Sequence, residues 1–156
     1  MKLHSLVFGL VGLSWSVAPA TAEPSSEPPL AVVISERVDI ESMSKAQLRQ
    51  VFLGESVNAG GKRLIPLNLS PKADERQTFD QKVLGMKPNE VPTFWVNRRI
   101  RGEGHPPKTI PSAETLLRLV AKLPGAIGYV PLALVGEGVR IVRIDGKAPS
   151  DPGYEL

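Results

Sequence analysis

The sequence predicts an α/β domain, a mixed sheet flanked by helices, and three observations carry that expectation. An amphipathic run from Ser112 to Leu123 leads directly into the apolar, β-branched and aromatic segment Ala126-Ile127-Gly128-Tyr129-Val130. The run Leu30-Ala31-Val32-Val33-Ile34 is continuously apolar instead of alternating, as in a strand covered on both faces. Between these two, short helical and strand-like patterns follow one another without an internal repeat.

The N-terminus reads as a targeting segment. Lys2 precedes an apolar run from Leu6 to Val17 and then Ala20-Thr21-Ala22, the layout of a signal peptide over residues 1–22 with its cleavage site. The run is too short for a comfortable membrane span, so an exported protein without membrane insertion is expected after cleavage. Residues 23–29, rich in Pro, Ser and Glu, read as a flexible leader. Residues 30–146 then form the expected domain and 147–156 a polar C-terminal tail.

Within that domain, Ser44-Lys45-Ala46-Gln47 has the capping-box pattern and opens a short helix whose buried side is Leu48, Val51 and Phe52. Gly54 is its left-handed stop. Asn58-Ala59-Gly60-Gly61 is turn chemistry, and residues 64–69 read as a strand with Ile65, Leu67 and Leu69 on one side. Pro66 cannot donate to a ladder, which calls for an edge position or a proline turned away from its neighbour.

Residues 73–84 read as a helix, with Asp74 and Glu75 in the positive first turn, Arg76 four residues from Asp80, and Phe79 and Val83 buried. Gly85 ends it. Residues 89–100 form a further expected helix, with Pro92 tolerated in its first turn and Val91, Phe94 and Trp95 as anchors. Residues 102–107 are a loop. The amphipathic run from Ser112 is a helix halted by Pro124-Gly125, and Val139 to Ile144 is a last strand before the Asp145-Gly146 turn.

Composition excludes several chemistries. There is no cysteine, hence no disulfide, thiol or Cys-ligated metal, and only His105 remains after signal cleavage. The chain carries 19 basic and 16 acidic residues. Loss of Lys2 leaves a net charge of about +2, which does not indicate nucleic-acid binding. Gly54-Glu55-Ser56-Val57-Asn58 lacks the second glycine of a nucleophile elbow and follows a helix, and Gly60-Gly61-Lys62-Arg63 has the wrong spacing for a phosphate loop. No catalysis and no cofactor are expected.

The most informative polar cluster is Arg98, Arg99 and Arg101 before the glycine-bracketed loop that carries His105. Guanidinium groups can fork onto a phosphate or carboxylate. The same three cations would also complement the negative end of a solvated helix, and the sequence leaves both readings open.

Three strings in order resemble the phosphate-type periplasmic substrate-binding proteins of ABC importers. Residues Ser44 to Gly54 look like that family's helix with a terminal F-x-G signature, Thr78 to Gly85 like its helix after the anion loop, and Pro124 to Val130 like its PGAIGYV strand. The resemblance implies one lobe of the type II periplasmic binding protein fold, a phosphate or other oxyanion ligand, and an ABC transporter partner.

The chain departs from the family in two ways. Family members have two lobes that close on the anion, and this chain is little longer than one. Where the family's anion loop carries an Arg upstream of Ser-Gly-Thr, the matching positions here read Leu69 and Ala73-Asp74-Glu75. Two carboxylates there repel a phosphate, leaving Ser70, Lys72 and Arg76 as substitutes beside Arg98, Arg99 and Arg101. The competing expectation is a binding-protein lobe without a ligand, serving as an interaction module that docks on an envelope sensor or transporter.

Overall fold

The computed structural model describes residues 27–156; the expected signal peptide and residues 23–26 of the leader lie outside the described residues. In chain order the strands are β1 Leu30–Ser35, β2 Ser42–Met43, β3 Asn58–Ala59, β4 Lys62–Arg63, β5 Ile65–Leu69, β6 Lys108–Ile110, β7 Ala126–Pro131, β8 Val139–Ile141 and β9 Arg143–Ile144. The helices are α1 Lys45–Phe52, α2 Asp74–Phe79, α3 Glu90–Ile100 and α4 Ala113–Lys122. A single π-type turn, Asp80–Leu84, extends α2.

Five strands form the main sheet in the order β6-β5-β7-β1-β8. β5 runs parallel to β6 and β7, and β1 runs antiparallel to β7 and β8, so the sheet is mixed. All six residues of β1 are buried, as its unbroken apolar run requires.

Side-chain alternation along β7 places helices on both faces of the sheet. Gly128 lies under Leu116 of α4, where an added Cβ would come within 2.6 Å of Leu116 Cδ2. Its neighbour Tyr129 points to the opposite face, against Phe52 of α1 and Phe79 of α2. Tyr129 and Phe79 stack at 3.8 Å between centroids, and Phe52 closes the trio at 4.7 Å from Phe79.

The helix ends follow their local chemistry. Ser44 Oγ accepts from the Gln47 amide at 3.1 Å, and Gln47 Oε1 accepts from the Ser44 amide at 2.9 Å, completing the capping box. Ser112 caps α4 in the same way, accepting from the Thr115 amide at 3.2 Å. Gly85, with φ 66°, halts the π-type turn. In α3 Pro92 is third, within the turn whose amides have no helical partner, and Val91 and Trp95 are buried while Phe94 is half-buried.

Several expectations need correction. β5 is interior to the sheet, so Pro66 takes the second of its two expected settings, turned away from a ladder partner, and Ile65 is 49% exposed while Leu67 and Leu69 are buried. Pro66 is tolerated because Ile65 donates to Gly125 O at 2.8 Å on the β7 side, which turns the next position toward β6. β6 begins pairing only opposite Leu67, so no ladder bond is lost there. The expected last strand splits at Val142, which still donates to Val32 O, into β8 beside β1 and β9 beside β2. The β3–β4 hairpin, β2 and β6 are too short for any sequence period to announce them.

The polar residues 147–156 fold back on β1. Tyr154 Oη donates to Leu30 O at 2.8 Å, and Leu156 is buried.

At the entry to β7, Gly125 has φ 92°, and an added Cβ would lie 2.5 Å from the backbone oxygen of Arg63. Backbone cannot swing aside as a side chain can. Gly125→Ala should therefore lower unfolding stability by at least about 2 kcal/mol, read from urea unfolding, with a loss of half that or less arguing against the close approach.

Candidate functional site

In open α/β sheets, ligands bind beyond the carboxyl ends of parallel strands. A crevice of about 290 Å³ lies here over the Asn68–Thr109 register pair of β5 and β6, reaching past the carboxyl end of β5 to Pro71 but lying at the amino end of β6, at Pro106-Pro107, and walled by α3 and the loop at Pro88. Asn68 of β5 and Thr109 of β6 face it, as do Arg76, Asp80, Trp95 and Arg99. A cavity of about 400 Å³ on the other side of α2 carries the Asp74 and Glu75 carboxylates, an unfavourable setting for an anion.

The floor of the crevice is an internal ion pair. Arg76 Nε donates to both Asp80 oxygens at 2.9 and 2.8 Å, and its Nη1 donates to Leu69 O at 3.1 Å. The two side chains are 7% and 5% exposed. Burial pushes the Asp80 carboxyl above its ordinary value, against the opposing pull of Arg76. Local helical spacing creates the pair, because residues four apart share a helix face.

Beside the pair, Tyr129 Oη donates to Asn68 Oδ1 at 3.0 Å, both groups being buried. That bond fixes the amide with Nδ2 as its remaining donor. Burial pushes the Tyr129 hydroxyl far above its ordinary value of 10.0, with Asp80 and Glu75 adding to the rise and Arg76 opposing it.

Of the six side chains expected to hold an anion, the crevice brings together Arg76 and Arg99. The Arg99 side chain is exposed and, among the described residues, has no ion-pair or hydrogen-bond partner. Its neighbour Arg98 turns the other way. Arg98 Nη1 donates to Leu53 O at 2.9 Å and Nη2 to Glu103 O at 3.1 Å, while its guanidinium lies 5.7 Å from the Phe94 ring and 6.0 Å from Trp95. It straps α3 to the end of α1.

Arg101 is committed to Glu103 through two bonds of 2.7 and 2.9 Å at the surface. Ser70 and Lys72 sit at the β5–α2 junction outside the crevice, with Ser70 Oγ accepting from the Lys72 amide at 3.4 Å. His105 is exposed. Sequence reading missed Asn68 and Thr109, whose signal was slight: one is a polar residue inside an apolar strand, the other part of a three-residue strand. Among the described residues no three His, Cys, Asp or Glu side chains converge on a metal site, and no helix is long and apolar enough to cross a membrane.

No protein-family model matches the sequence. Solved structures do match. An ABC-type phosphate transport receptor from Vibrio cholerae superposes with a TM-score of 0.64 at 14% identity, over 79% of this chain and 48% of its own. The chain has the fold of one lobe of a phosphate-type substrate-binding protein.

PstS from Borrelia burgdorferi gives a TM-score of 0.59 at 14% identity, over 79% of this chain and 49% of that one. A Clostridium perfringens structure assigned to the phosphate ABC transporter substrate-binding proteins, with phosphate bound, gives 0.63 at 18%, over 78% and 47%. The chain thus spans about half the length of the solved proteins it matches. In this lobe α1 bears the F-x-G signature, β7 follows Pro124-Gly125, and the β5–α2 junction holds Asp74 and Glu75 with no side-chain cap.

Removing one member of the buried pair leaves the other charge without compensation. Asp80→Ala should cost about 3–5 kcal/mol in urea unfolding, whereas Arg76→Met combined with Asp80→Leu should cost far less. Equal losses in both variants would contradict the account. Because folded Tyr129 keeps its proton where the unfolded chain loses it, stability is full below pH 10 and declines as pH rises above it. Unfolding between pH 9 and 11 should show that decline, reduced in Tyr129→Phe.

Proposed function

We propose that this protein is an exported, periplasmic solute-binding-like protein that takes a small oxyanion, inorganic phosphate being the first to test, and works with an ABC-type transporter without catalysis. The fold supports this reading, and so does the signal-like sequence of residues 1–22. The observation that carries it is Arg99, a cation whose side chain has no partner among the described residues, on the crevice beside β5 and β6. Arg76 sits deeper, where its charge is balanced by Asp80. Arg99 is therefore the side chain assigned to the anion, with the Asn68 amide as a neighbouring donor. Ser70, Lys72, Arg98 and Arg101 have supporting places around it at most.

A second reading has its own observation. The Arg76–Asp80 pair neutralises the cation nearest the family's anion loop, while Val96 and Ile100 of α3 are 45% and 79% exposed. That combination suits an interaction module docking on an envelope sensor or transporter. Capture from an envelope extract, with and without phosphate, separates the two, since solute binding should change the set of partners.

A ligand that binds only the folded chain stabilises it, by about 2.7 kcal/mol at a hundredfold excess over Kd. Millimolar phosphate, or another member of a panel of small oxyanions, should raise the melting temperature of the wild type and leave Arg99→Ala unmoved. An unchanged melting temperature of the wild type across the panel would overturn the oxyanion reading.

A further inference from the structure

We propose that the ligand class of this crevice is a small amphipathic organic anion, an acid group on an aryl or alkyl body, in place of a bare inorganic oxyanion. The proposal rests on the reading of the crevice as a solute site and specifies what that site selects.

The walls are the first argument. Five of the lining residues are prolines, at 71, 88, 92, 106 and 107. Proline has no backbone N–H, so these wall positions cannot contribute to a nest of amides around an oxyanion. Trp95, Val91 and Val96 add further apolar surface. Such walls gain from covering carbon and gain nothing from a fully hydrated phosphate.

Charge is the second argument. Both Asp80 oxygens accept from Arg76 Nε, and Arg76 Nη1 is taken by Leu69 O, so the buried cation presents little uncompensated charge. Arg99 supplies one planar fork, suited to a single carboxylate or phosphomonoester head. With the Asn68 amide and the Thr109 hydroxyl, the donor set is small beside the apolar wall. A free phosphate stripped of water needs donors on every side, and this crevice offers few.

Preorganisation is the third. Trp95 is pinned from behind: an added Cβ at Gly54 would stand 3.1 Å from Trp95 Cη2, Phe94 meets the indole edge-on at 5.1 Å, and Arg98 lies near both rings. Trp95 is buried, so the ring held in this way presents a fixed apolar edge to the crevice, against which an apolar body can pack without reordering it. A volume of about 290 Å³ suits a ligand at the small end of the usual cavity range.

The test uses the full chain carrying Trp15→Phe, in which Trp95 is the single tryptophan. Phenyl phosphate, benzoate, inorganic phosphate and neutral benzyl alcohol are titrated, with Trp95 emission and calorimetry as readouts. Phenyl phosphate or benzoate should bind at least tenfold more tightly than inorganic phosphate and change Trp95 emission. Arg99→Gln should erase the preference for benzoate over benzyl alcohol while the ligand-free melting temperature stays unchanged. Inorganic phosphate binding as tightly as the aromatic anions would overturn this proposal and leave the oxyanion site standing. Absence of binding by all three anions would overturn both, and an aromatic anion indifferent to Arg99→Gln would overturn the assignment of its acid group.

Discussion

The contact on which the rest of the molecule depends is the stack of Tyr129 on Phe79, with Phe52 against them. One ring comes from the central strand β7, one from α2 and one from α1, so a single cluster fixes two helices on one face of the sheet. Its polar end matters as much as its apolar one. A buried hydroxyl must find a partner, and Tyr129 finds Asn68, which forces a polar side chain into an otherwise apolar strand. Asn68 then faces the crevice, so the core sets the orientation of one of the few donors the site has.

Electrostatics inside the crevice is governed by how charges are spent within the chain. Arg76 and Asp80 are both buried and neutralise each other, Arg98 is used as a strap to Leu53, and Arg101 is held by Glu103. These four charged groups are committed to partners within the chain. Arg99 is left over. A crevice with one available cation among the described residues, on walls rich in proline and aromatic carbon, differs in kind from the donor-dense cradle a free tetrahedral anion needs.

Secondary structure was legible wherever a local rule governs it. The Ser44–Gln47 box, the Ser112 cap, the stops at Gly54 and Gly85 and the Arg76–Asp80 spacing all act within one or two helical turns, so neighbouring residues suffice to specify them. The three motifs that resemble phosphate-type binding proteins fell on α1, α2 with its π-type turn, and the start of β7. Elements of two or three residues were not legible. β2 and β9 exist only because each offers the other a partner across a long separation in the chain.

By itself, the sequence determined the α/β class, the buried character of β1 and β7, the helix boundaries and the absence of thiol chemistry. These follow from periodicity, capping and composition, which are properties of adjacent residues. Tertiary structure alone decided that β5 is interior, that residues 147–156 pack on β1, and which arginine reaches the crevice. Neighbours on a helix point about 100° apart, so Arg98 and Arg99, adjacent in the chain, serve different sides of α3. Only the packing of that helix against Leu53 and the crevice says which side is which.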